Sequence, residues 1–150
     1  MGDTAVPTRP CKPHQRYRML MPSKPAEISC EKLALGLVHL GIEKGDRIGI
    51  WSPNRYEWIV TQFASALAGF ILVNVNPMYQ SEDLSYAIDK VGLKALIAPP
   101  EFKRSKYYNM LNELIPELSK YEKGHGRIES DSFPKLRHLI IFDEEHRAFK

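Results

Sequence analysis

Gly45-Asp46-Arg47-Ile48-Gly49-Ile50-Trp51-Ser52-Pro53-Asn54, followed some twenty residues on by Asn74-Val75-Asn76-Pro77, is the stretch that decides the fold of this 150-residue chain. The turn-prone Lys44-Gly45-Asp46 leads into an apolar run, Arg47 to Trp51, short enough for a strand. Pro53-Asn54 ends that run, and Asn54 with Glu57 three residues later has the form of a capping box. Trp58, Ile59, Phe63 and Leu67, interleaved with the small Ala64, Ala66 and Ala68, then predict a helix that stops before Gly69. Phe70-Ile71-Leu72-Val73 shows no polar alternation, which predicts a parallel strand with helices over both of its faces.

The same alternation extends outward in both directions. Upstream, Leu33, Leu37, Val38 and Leu40 recur at helical spacing, with Ser29 as the predicted N-cap and Gly41 at the turn that closes the helix. Downstream, Ser81 is the predicted cap of a third helix with Glu82 and Asp83 in its first turn, where the helix dipole favours acids. Leu84, Ile88 and Val91 form its apolar face and Gly92 ends it. Ala95 to Ala98 is a third strand, stopped by Pro99-Pro100, and a fourth helix is predicted from about Lys103 to Ile115. A polar surface loop is expected over Glu117–Pro134, and a last strand over Leu136–Phe142. Strands near 47–51, 70–73, 95–98 and 137–142 separated by helices mean βαβ units. The fold class is therefore α/β, a mainly parallel sheet with helices on both faces.

Bulk composition narrows the function classes. Hydrophobic residues at 43 % and charged residues at 26 % are ordinary for a globular chain of one domain. A net charge of +3, with bases and acids interleaved, does not make a nucleic-acid partner. Apolar runs such as Phe70 to Val73 are far too short for a transmembrane segment. Cys11 and Cys30 form no disulfide framework and fit a reducing compartment. Cys11 and His14 offer two metal ligands with no second pair at zinc spacing, so no metal site is expected. Residues 1–27 form a basic, Pro-rich tail with Asp3 as the one acid before Glu27, a composition that favours disorder. Residues 28–150 hold the α/β unit.

In an open parallel sheet, ligands bind beyond the carboxyl ends of the strands. That rule selects the loops Ser52–Arg55, Asn74–Gln80 and Pro99–Lys103. The second is the richest in polar groups, although Asn74 and Asn76 serve equally well as makers of local side-chain turns. Gly36, Gly41, Gly45 and Gly49 do not compose a phosphate-cradling loop, and no nucleophile elbow or His-x-x-x-His is present. His39, His125, His138 and His146 are scattered, and Asp143-Glu144-Glu145 reads as a solvated acidic patch. No residue is assigned a catalytic role.

Taken together, Leu37–Leu40 before Gly41, Lys44-Gly45-Asp46-Arg47, Trp51-Ser52-Pro53-Asn54, Glu57-Trp58, Ala68-Gly69, Asn74-Val75-Asn76-Pro77 and Glu82-Asp83-Leu84-Ser85-Tyr86 resemble the N-terminal subdomain of the AMP-forming acyl-CoA synthetases. Lys94–Pro99, Phe102 and Tyr107-Tyr108 are most similar to the mitochondrial medium-chain branch of that family. The resemblance implies a two-step ligase that uses ATP, Mg2+ and CoA to convert a fatty acid into its thioester through an acyl-adenylate. It also implies that Asn76, Pro77 and Met78 face the CoA side, and that the phosphate loop and catalytic lysine lie outside these 150 residues. On that reading the chain is an inactive N-terminal fragment, from an incomplete gene model or a splice form, with uncovered sheet edges and poor solubility by itself. Mitochondrial localisation follows from the resemblance and from the basic tail, with the cytoplasm as the alternative. The alternative function is a non-enzymatic truncated isoform that acts as an interaction module. A flavodoxin-like binding domain ranks last, because its phosphate-binding turn is missing.

Overall fold

A computed structural model describes residues 24–121 and 127–142. Among the described residues four helices and four strands alternate: α1 (Lys24–His39), β1 (Arg47–Trp51), α2 (Tyr56–Ala68), β2 (Ile71–Val75), α3 (Ser81–Val91), β3 (Ala95–Ala98), α4 (Tyr107–Leu114) and β4 (His138–Ile141), with a 3-10 turn at Pro116–Lys120. All strand pairs are parallel and the sheet order is β2-β1-β3-β4. Gly49 lies opposite Val73 on one side and Leu96 on the other.

Successive strand residues point to opposite faces, and this period of two divides the core into two layers. Ile48, Ile50, Ala95 and Ile97 face one side with Leu37, Ile42 and Phe70, joined by Leu72 and Trp58. Trp51, Val75, Leu96 and Ala98 face the other, where they pack on Leu84, Ile88 and Leu93, on Tyr107 and Leu111, and on Phe133. Helices therefore cover both faces, α1 and α2 on the first and α3 and α4 on the second. The central strand β3 is buried at every residue and β1 at all but its first.

Physical reasons account for the differences from the sequence reading. α1 starts at Lys24, so Ser29 is an interior residue and not its cap. Its buried stripe is Ala26, Cys30, Ala34 and Leu37, spaced by four, four and three. Val38 lies about 100° around the helix from Leu37 and is exposed, as is Leu40. The small residues of that stripe lie along Val60, Thr61, Ala64 and Ser65 of α2. α2 is preceded by Arg55 in extended backbone with no side-chain cap, so Asn54 is not the cap; Gln80 likewise precedes α3, and Ser81 is its first helical residue. β2 begins one residue later than expected and is an edge strand, with Ile71 half-exposed. An unalternating apolar run marks a covered strand only when tertiary neighbours exist on both sides. α4 starts at Tyr107, because Lys103 takes a left-handed φ of 54° inside a small bridge between Phe102 and Ser105. The expected surface loop is partly core: Leu118, Ile128 and Phe133 are all buried. The predicted stops at Gly41, Gly69 and Gly92 hold, each glycine having positive φ.

The amino ends of the strands are closed by Asp46. Its carboxylate accepts the Glu43 N–H at 2.6 Å and pairs with the Lys94 ammonium at 2.5 Å, tying the starts of β1 and β3 together. Gly45 donates its N–H to Gly69 O at 2.9 Å. The Lys44-Gly45-Asp46 motif thus builds the end of the sheet opposite to the expected site. No helix among the described residues is long and apolar enough to cross a membrane.

Candidate functional site

All four strands run the same way, so the loops after β1, β2 and β3 gather at one end. β1 leads to β2 on one side, and β3 then returns to the other side of β1. That reversal of order is where open sheets form a ligand crevice. Here two aromatic rings meet there. Trp51, the last residue of β1, stacks on Tyr107, the first residue of α4, with ring centroids 3.5 Å apart and planes inclined by 7°. Both side chains are fully buried, and burial pushes the Tyr107 phenol up to a pKa of about 12.

The polar tip of each ring finds a partner in the loop after β2. Trp51 donates its indole N–H to Asn76 O at 3.0 Å, and Tyr107 donates its hydroxyl to Pro77 O. The same Asn76 carbonyl accepts the Tyr79 N–H at 3.1 Å, which closes a four-residue turn. Pro77 occupies the second position of that turn, where its fixed φ is favourable, and Asn76 the first. Asn76 Oδ1 also accepts the Met78 N–H at 2.9 Å, so this side chain makes the local turn that asparagine favours. Gln80 Nε2 donates to Met78 O at 3.3 Å. The turn carbonyls point inward, while the Met78 side chain stands 54 % exposed.

Between the ends of β1 and β2 lies an open groove. Its walls are Ser52, Asn54 and Trp58 on one side and Asn74, Asn76 and Tyr79 on the other. Ser52 is buried and donates its hydroxyl to Pro53 O at 2.9 Å. No charged side chain lines the groove. The structure thus brings the first and second predicted loops together along one groove; no residue of the third, Pro99–Lys103, lines it, and the bond to the second comes from Tyr107 in the helix that follows. Asn76 and Pro77 line the groove, whereas the exposed Met78 is not among its lining residues. The sequence places Trp51 in a strand and Tyr107 within the fourth predicted helix. Only their contact across 56 positions reveals what their polar atoms do, and no spacing rule signals it.

Among the described residues no three His, Cys, Asp or Glu side chains converge on a point. His138 is a buried strand residue, and the exposed His39 ring bonds Leu35 O within its own helix at 2.9 Å. Cys11, His14 and the Asp143–Glu145 patch lie outside the described residues.

This framework has close counterparts. The sequence profile described as "AMP-binding enzyme" matches residues 26–148. The chain belongs to the AMP-binding enzyme family. Relatives within it include the mitochondrial medium-chain acyl-CoA ligase ACSF2 of Bos taurus, 43 % identical over 130 residues, which is 87 % of this chain and 20 % of the relative. The Homo sapiens ligase of the same name is 42 % identical over the same span, and that of Danio rerio 44 % over 115 residues. The chain therefore spans about one fifth of the length of these relatives. In three dimensions, a fatty acyl CoA synthetase of Mycobacterium tuberculosis superposes with a TM-score of 0.62 at 20 % identity, over 81 % of this chain and 21 % of the other. The N-terminal domain of FACL13 from the same organism gives 0.62 as well, over 26 % of that chain. These two likenesses show the shared α/β fold. The parallel sheet covered on both faces is the family's N-terminal framework, as expected from the sequence.

Proposed function

We propose that these residues form the N-terminal α/β layer of an AMP-forming acyl-CoA synthetase specific for medium-chain fatty acids and located in mitochondria. The observation that carries this reading is the 43 % identity to a medium-chain acyl-CoA ligase across 87 % of the chain. In the complete reaction a fatty acid carboxylate oxygen attacks the α-phosphorus of ATP, and pyrophosphate leaves. The CoA thiolate then attacks the acyl carbon, and AMP leaves. The charge that develops on the phosphates needs fixed cationic and hydrogen-bonding partners. Convergent carboxylates for Mg2+ are absent among the described residues. The proposal assigns this chain no catalytic residue and no metal ligand.

Its contribution is the rim at Asn76, Pro77 and Met78, facing CoA. The neutral amides and half-buried aromatic rings of the groove suit the amide-bearing pantetheine arm better than the CoA phosphates, for which no Lys or Arg lines the walls. The test compares two samples supplied with ATP, Mg2+, CoA and octanoate. The 150 residues alone form no octanoyl-CoA. A polypeptide captured from tissue by an antibody against Tyr107–Lys120 forms octanoyl-CoA and AMP in equal amounts. Turnover by the 150 residues would overturn their assigned inactivity, and an inert captured polypeptide would overturn the ligase reading.

A further inference from the structure

The Asn76–Tyr79 turn is built by its own residues but is not held in place by them. Asn76 and Pro77 provide the local hydrogen bonds and the fixed φ, which determine the shape of the turn. Its height above the sheet depends on two successive carbonyls, each bonded by a side chain from a different element. Trp51 comes from the end of β1 and bonds Asn76 O; Tyr107 comes from the start of α4 and bonds Pro77 O. The two donors are themselves locked face to face and buried. Movement of the turn would leave two buried donors without partners, strip Pro77 O of its bond and leave Asn76 O with the Tyr79 N–H alone, and each such loss is costly. Rotation of either ring is blocked by the other.

We propose that Trp51 and Tyr107 act as a paired positioning unit that fixes the Asn76–Met78 turn, and with it the place of Asn76 and Pro77 along the groove. In its bearing on CoA this inference rests on the function proposed above; the positioning itself does not. Neither residue touches the reacting atoms. Their effect is transmitted through two backbone carbonyls.

Two variants each remove one donor and keep an aromatic ring: Trp51→Phe takes the indole N–H from Asn76 O, and Tyr107→Phe takes the hydroxyl from Pro77 O. Leu96→Val serves as a control, since it loosens the same core layer without touching the turn. Amide hydrogen exchange is followed residue by residue on the 150-residue chain. The Met78 and Tyr79 amides should exchange about tenfold faster in either aromatic variant, as expected for loss of one buried hydrogen bond. Amides of β3, which exchange through global unfolding, should accelerate by no more than the same factor, and Leu96→Val should speed β3 while leaving the turn unchanged. Equal exchange at Met78 and Tyr79 in the parent and both aromatic variants would overturn the positioning role. So would a Leu96→Val effect on the turn as large as theirs, because the turn would then merely report overall stability. Addition of CoA, read on the 13C-labelled Met78 methyl group, separates the two ideas. Faster exchange in the variants with no CoA-dependent shift in the parent would leave the positioning intact and count against the CoA-facing rim.

Discussion

Gly49→Ala is a one-methyl test of how tightly the core layer of Leu93, Leu96 and Val75 packs on the site-bearing strand. A Cβ built on Gly49 would lie 2.6 Å from Leu93 Cδ1 and 2.9 Å from Leu96 Cδ1, with Val75 Cγ2 at 3.6 Å. The first two contacts are far inside ordinary van der Waals separation. Both leucines are 1 % exposed or less, so neither methyl group has solvent to swing into. Overpacking of this kind costs about 1–3 kcal/mol, while alanine regains ~0.5–1 kcal/mol over glycine in a strand. The net loss is about 1–2 kcal/mol, which lowers the urea midpoint by roughly 0.5–1 M. Pulse proteolysis across a urea series at low protein concentration reads that midpoint without requiring a concentrated sample. Gly49→Ala combined with Leu96→Val should cost clearly less than the sum of the two single changes, since the second removes part of the clash. A midpoint for Gly49→Ala equal to or above that of the parent would refute the argument. The leucines would then have room to turn aside, and Gly49 would not be set by packing.

Two further predictions concern pH. Burial pushes the Tyr107 phenol up to about 12, above its ordinary value of 10.0, so the stability it contributes is complete below pH 10 and is lost as pH rises toward 12. The full difference is about 3 kcal/mol, and the parent should lose that much more than Tyr107→Phe over this range; parallel alkaline losses in the two proteins would contradict it. Partial burial by itself would raise the Asp46 carboxyl, but the Lys94 hydrogen bond, the Glu43 N–H and the Lys94 charge outweigh it and hold the group below its ordinary 3.8. Its contribution is therefore present above that value and disappears as pH falls below it. Lys94→Met should cost about 1 kcal/mol at neutral pH, and the deficit should vanish in acid; a deficit independent of pH would show that the lysine acts through packing alone.

Much of this architecture was legible in one dimension because its causes are local. The positive φ at Gly41, Gly69 and Gly92 is a property of the glycines at helix ends, so the ends were readable. The apolar run Ala95–Ala98 between stop signals marked a strand that proves wholly buried. The Asn-Pro turn at Asn76–Pro77 followed from the side-chain chemistry of those two residues. The errors share one origin. Ser29, Asn54 and Ser81 are good caps in isolation, yet packing of α1 on α2, and the paths of the chain out of β1 and β2, place the helix starts elsewhere. Phe70–Val73 read as a parallel strand covered on both faces, and hydrophobicity by itself did not say that this strand lies at the edge of the sheet.

The sequence by itself determined the βαβ alternation, the parallel sheet and the loops where a ligand would sit, since periodicity and turn chemistry act over a few residues. Tertiary structure alone decided the order β2-β1-β3-β4, the edge position of β2 and the stacking of Trp51 on Tyr107. It also decided that those two rings hold the carbonyls of Asn76 and Pro77. These features depend on which apolar faces meet once the chain collapses, and the hydrophobic effect that drives the collapse carries no direction along the sequence.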